Sequence, residues 1–259
     1  MIGFFRKTRK KLADNNKPLI YARYAVGEIL LVVIGILIAL QVNNWNEAKK
    51  TATRERNYLE RIKEDLVQDT IYFNRRLADS KNVIDNHYEL IHRMYEEQKN
   101  KNEITELLSL LNWNSEHLTI QNSTYVELLS TGQINIFSNI ELKKDILFLY
   151  KRYDEISTHV KEINEFSTQL YAKIVNNHSK YRPPLPTNMW DANMLYKETM
   201  FDKIEWQYIN QPFSEDFRML ETTAYYYMVK HTFFTDYFIE LREDTSSIIR
   251  LIDKELNTR

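Results

Sequence analysis

Cysteine is absent from the 259 residues and glycine nearly so, with four, at positions 3, 27, 35 and 132. Without thiols the chain has neither disulfides nor thiolate chemistry, which suits an exported domain. Phosphate-cradling loops and dinucleotide fingerprints need several glycines at fixed spacing, for tight turns and close backbone approach, so a body with Gly132 alone excludes them. Charge of one sign is missing as well. The 35 Lys and Arg stand against 36 Asp and Glu, interspersed along the chain, so no concentrated basic face is expected and no nucleic-acid partner. No two of the six histidines have the HExxH spacing that places two ligands on one helical face. His87 and His231 read as interior histidines, and the acidic pairs Glu64-Asp65 and Glu96-Glu97 as a solvated face. The aromatics around Tyr225, Tyr226 and Tyr227 read as packing of a bundle and its rim. No catalytic, cofactor-binding or metal-binding set emerges, and the chain is expected not to be an enzyme.

Long hydrophobic runs are also lacking, with one exception. Residues 29–40 are twelve uninterrupted apolar residues, and with Ala25, Val26, Gly27 and Val42 the segment approaches the ~20 that a helix rising ~1.5 Å per residue needs to cross a bilayer. Residues 21–45 are therefore expected to form a transmembrane helix, with Trp45 and Tyr21 or Tyr24 near the two membrane surfaces. The region before the span holds Arg6, Lys7, Arg9, Lys10, Lys11, Lys17 and Arg23 against Asp14 alone. After it, Lys49, Lys50, Arg54 and Arg56 mix with Glu47 and Glu55. The positive-inside bias then makes residues 1–20 a basic cytoplasmic head and residues 46–259 a periplasmic helical domain, anchored in the inner membrane by a single span that is not cleaved. Arg6, Lys7, Arg9, Lys10 and Lys11 are placed to meet anionic lipid head groups.

The body is read as all-α. Residues 51–99 contain neither Pro nor Gly, and Leu59, Leu66, Phe73, Leu77, Ile84, Ile91 and Met94 recur at steps of three, four and seven. Short helices are expected over 103–111 and 123–131, with Ser123 as N-cap of the second and Gly132 as its left-handed terminator. Ser138 and Glu141 resemble a capping box opening a helix to residues 176–178, whose seam is Tyr153, Ile156, Val160, Ile163, Leu170 and Ile174. Pro183, Pro184 and Pro186 make an extended connector, and an aromatic stretch follows to residue 212. Ser214, followed by Glu215 and Asp216, starts a last helix to about residue 256. Three long helices joined by two connectors predict an elongated antiparallel up-down-up bundle, with residues 99–137 at one end and 177–213 at the other.

Residues 4–47, FFRKTRKKLADNNKPLIYARYAVGEILLVVIGILIALQVNNWNE, and residues 125–150, YVELLSTGQINIFSNIELKKDILFLY, carry a resemblance. They are similar to a Bacteroidetes family of uncharacterised single-pass proteins, the domain-of-unknown-function family 6090. The resemblance extends over essentially the whole chain. It implies a small inner-membrane protein without assigned activity and supplies no catalytic residues. From the residues themselves, Glu28 is an ionisable group inside the span, and Gly35 and Ala39 form a small-xxx-small pair that lets another helix approach. Glu28, Gly35, Ala39 and Gln41 are thus a candidate transmembrane contact, with another membrane protein or a second copy of the chain as partner. The functional expectation is a periplasmic interaction or sensory module acting through that partner. An envelope scaffold without ligand is the alternative, followed by a periplasmic enzyme.

Overall fold

A computed structural model describes residues 18–111, 115, 117–177 and 207–258. Every regular element among them is helical, as composition and periodicity led one to expect. The α-helices are α1 (Pro18–Met94), α2 (Lys101–Ser109), α3 (Ser123–Ser130), α4 (Ile140–Asn177) and α5 (Glu215–Thr258), with 3-10 turns at Gln133–Ile136 and Gln207–Asn210. Arg6, Lys7, Arg9, Lys10 and Lys11 lie outside the described residues, as do Pro183, Pro184, Pro186 and the aromatic stretch up to residue 206.

Two compact units divide the chain between Asn57 and Tyr58. In the first, α1 opens at Pro18, where the missing N–H of proline would have no helical partner anyway. The asparagines at 43, 44 and 46 do not interrupt it. Its apolar residues from Val26 to Val42 are exposed on every side, and it is long and apolar enough to cross a membrane. Past the apolar run the helix is tied by its own side chains, Lys50 to Glu47 at 2.9 Å and Thr53 Oγ1 to the Lys49 carbonyl at 3.0 Å.

The second unit is a helical body with a continuous core. Along α1 the buried positions are Leu59, Ile62, Leu66, Asp69 and Phe73, then Ser80, Val83, His87, Leu90 and Met94, in alternating steps of three and four. That is the 3.5-residue period of a coiled-coil seam. The expected seam departs from it after Phe73: Leu77, Ile84 and Ile91 are only partly buried. The true positions there include Ser80 and His87, whose polarity hides them from an apolar pattern. In α4 the same happens, with Asn164 and Ser167 buried in place of the expected Ile163 and Leu170.

Helix ends agree with the expectations to within a few residues, although two caps differ. Phe217 N–H donates to Ser214 Oγ at 3.2 Å, so Ser214 caps α5 as read. At α4 the cap is Asn139 rather than Ser138, since Leu142 N–H donates to Asn139 Oδ1 at 3.1 Å. Helix α3 begins at Ser123 without a local side-chain cap. Carboxylates of α1 meet the chain there instead: Asp65 accepts the Thr124 N–H of the helix at 3.4 Å, and Asp69 accepts the Gln121 N–H just before it at 2.7 Å. Gly132 takes the left-handed conformation expected of it, with φ 69°.

The topology corrects the up-down-up expectation. Helix α5 runs antiparallel to α1, through Lys63–Asp253 at 2.6 Å and Tyr95–Glu221 at 2.5 Å. It is antiparallel to α4 as well, through Asn139–Glu255 at 2.6 Å and Arg152–Glu240 at 2.5 Å. The α1 body and α4 consequently run the same way. What returns the chain between them is the stretch after α2: Tyr72 O–H donates to the His117 carbonyl at 2.6 Å, and Tyr58 and Arg61 bind Glu127 at 2.8 and 2.6 Å. Residues 99–137 therefore start at the Met94 end of the body and finish at the Tyr58 end. Residues 207–213 do not sit opposite Lys99 but beside it, where Asn210 exchanges two hydrogen bonds of 2.8 Å with the Lys99 backbone. Leu90, Met94, Leu107, Tyr208 and Phe217 close that end as one apolar cluster.

Candidate functional site

Two places in the described chain hold groups that ordinary packing does not require. The first is the exposed apolar helix of the first unit. At ~100° per residue, Glu28 and Ala39 fall within ~40° of Gly35 on the helix, whereas Gln41 lies ~120° away. Gln41 thus leaves the candidate contact: the helical rotation separates it from the other three. A Cβ added at Gly35 would meet nothing within 4 Å, so the face is open. Glu28 is half-buried, while Gly35, Ala39 and Gln41 are exposed.

The second place is the interior of the body, and its polar groups fall into two layers. Nearer the Tyr58 end, Asp69 is 1% exposed. Its Oδ1 accepts the Gln121 N–H, while Oδ2 has no hydrogen-bond partner. Burial pushes the carboxyl up to about 7, against the opposing pull of the Gln121 amide. Around it stand Tyr150 and Tyr153, whose phenols burial also pushes up. The Tyr153 hydroxyl meets Thr245 Oγ1 at 2.6 Å, and Thr245 donates to the Leu241 carbonyl.

Nearer the Met94 end, Ser80 and His87 from α1, Asn164 and Ser167 from α4, and Tyr227, Lys230 and His231 from α5 are all buried. Lys230 Nζ lies 3.4 Å from Ser167 Oγ, 3.5 Å from Asn164 Oδ1 and 4.1 Å from the Tyr227 ring centroid. The Tyr227 ring stacks on His87, centroids 6.1 Å apart, and its hydroxyl donates to the Ser167 carbonyl at 3.3 Å. His87 Nδ1 is 2.8 Å from the Val83 carbonyl, which makes it the protonated nitrogen. His231 Nδ1 lies 3.3 Å from Ser80 Oγ, and its Nε2 has no partner. Burial first, then Lys230 and His87, hold the His231 imidazolium down to about 3. Burial lowers His87 as well.

His87 and His231 are the interior histidines that the sequence reading expected. The sequence reading missed their companions, Asp69, Ser80, Asn164, Ser167, Tyr227, Lys230 and Thr245. A coiled-coil count at 3.5 residues, extended through polar positions, would have found the α1 members. All of these side chains are buried. Among the described residues no group of three or more His, Cys, Asp or Glu is placed to hold a metal ion.

The family model of a family of unknown function (DUF6090) matches residues 28–183. The match takes in α1 from residue 28 onward, α2, α3 and α4, and is shorter than the whole-chain resemblance: the basic head, the first residues of α1 and α5 fall outside it. No curated protein and no solved structure matches the chain.

Proposed function

The chain belongs to DUF6090, a family of unknown function, and from that premise we propose that it is a single-pass inner-membrane protein whose helical body is a periplasmic interaction or sensory module acting through a partner. The observation that carries this reading is the helix over residues 29–40, apolar around its whole circumference and exposed throughout. A water-soluble helix would keep one polar face; lipid asks for none. The basic head supports a cytoplasmic N-terminus, with Arg6, Lys7, Arg9, Lys10 and Lys11 against lipid head groups.

A binding role is favoured over catalysis because the acid and the base that burial displaces furthest, Asp69 and His231, are core groups 1% exposed. The partner is a membrane protein or a second copy, received on the face of Glu28, Gly35 and Ala39. An envelope scaffold without ligand is the second reading, favoured by the fully packed core. Proteinase added to spheroplasts tests the orientation: the body is expected to be digested and the N-terminus protected. Protection of the body with an accessible N-terminus contradicts it. Purification from mild detergent then separates the two roles. A stoichiometric complex without ligand favours the scaffold, and a ligand that raises the melting temperature favours the sensor.

A further inference from the structure

The core of the body changes character along its length. Around Phe73 it is aromatic, with Phe238 and Tyr153 at ring distances of 6.2 and 6.0 Å. About two to four turns further along α1, from Ser80 to His87, it holds two histidines and a lysine. We propose that the Met94 half of the body is an acid-release element: protonation of His231 and His87 opens the packing of α5 on α1 and α4 there, while the aromatic layers around Phe73 stay closed.

His231 is 1% exposed, with Nδ1 on Ser80 and Nε2 facing no acceptor. A second proton creates a donor with nowhere to bond in a dry interior, which is costly unless the site opens to water. The charged and titratable groups acting on His231 are Lys230 on its own helix and His87 on α1. From α4 the cluster meets Asn164 and Ser167, and from α5 also Tyr227, all of which can share a proton but none of which supplies a negative charge at neutral pH. Protonating either histidine therefore sets it beside Lys230, and protonating both brings three basic groups together. Burial and this repulsion act in the same direction.

The other half responds oppositely. Asp69 keeps its proton up to about 7, so acid relieves that layer instead of straining it. Opening is thus confined to the Met94 half. The inference rests on the fold of the body and holds on whichever side of a membrane the body lies.

The test is hydrogen exchange of the full chain in phospholipid nanodiscs, read by mass spectrometry at about pH 7.5 and about pH 5 and corrected for intrinsic exchange. Below about 6.5 each histidine multiplies the open fraction by up to about tenfold per pH unit. Protection in peptides covering residues 80–94 and 220–235 should fall about a hundredfold or more, while residues 59–73 and 146–156 keep theirs. In the double variant His87→Gln, His231→Gln the acid-induced fall should shrink to less than about threefold. Unchanged protection over 80–94 in the native chain overturns the proposal, and so does an equal fall in both sets of peptides. If the variant does not fold, the native comparison of the two sets decides alone.

Discussion

Residues 25–42 and residues 59–94 belong to the same helix and obey different rules. In the first stretch Ile29, Leu30, Leu31 and Val32, successive residues ~100° apart, point to all sides and every one is exposed. In the second the apolar residues follow a seam, and Ile71, off the seam, is one of the few large hydrophobics left outside. A helix that packs on protein needs a stripe; a helix with lipid around it needs a sleeve. The difference teaches where each stretch finds its apolar environment, and it can be broken by substitution in either one.

The largest effect is expected in the seam. Phe73 is fully buried against Tyr153 and Phe238, so Phe73→Ala should destabilise the body by ~3–5 kcal/mol, measured as a shift in the urea midpoint of the full chain in detergent. Membrane integration should be untouched. Conversely Val33→Arg, at the middle of the sleeve, should cost insertion ~2.5–3.5 kcal/mol and increase the fraction extracted by alkaline carbonate, with the body folding as before. A body unfolded by Val33→Arg would mean that the sleeve packs on protein.

Asp69→Asn gives an effect with a pH signature. The folded carboxyl, at about 7, holds its proton where the unfolded one, at 3.8, has lost it. The unfolded state thus binds fewer protons between those values, and the Asp69 contribution to stability falls as pH rises through that window, by at most ~1.4 kcal/mol per unit. It is constant above the window. Asparagine keeps an acceptor for the Gln121 amide and carries no proton to lose, so the variant should gain on the native protein between pH 4 and 7 and hold that gain above. Urea midpoints of both proteins across this range check it. The buried histidines give the native protein the opposite slope below 6.5, and the difference between the two proteins removes their share. The smallest effect is at the exposed Arg61–Glu127 pair, which solvent screens, so Glu127→Ala should shift the same urea midpoint less than Phe73→Ala or Asp69→Asn.

Helix existence and helix ends were legible in the sequence, because caps such as Ser214 and terminators such as Gly132 act locally. The seam was legible only while its residues were apolar. It was lost at Ser80 and His87 in α1 and at Asn164 and Ser167 in α4, where three helices share a polar layer that no single helix announces. The direction of α4 was not legible either. It depends on an irregular return whose backbone is paired by Tyr72, Asp69 and Asp65 from a distant part of the chain. Of the candidate contact, Glu28, Gly35 and Ala39 share a face as their spacing requires, while Gln41 had been grouped with them by polarity alone.

The central claim is that residues 25–42 lie inside a membrane, shielded from water along their whole length, and the native chain, having no cysteine, allows a direct test. Single cysteines at each position from 25 to 57 would be exposed in intact membranes to a water-soluble maleimide. The account predicts an unbroken block of protection over 25–42 and labelling after Trp45, apart from the buried Glu55 position. Protection recurring every three to four residues within the block, with the intervening positions labelled, would contradict it, because that is the pattern of a seam packed on protein in water.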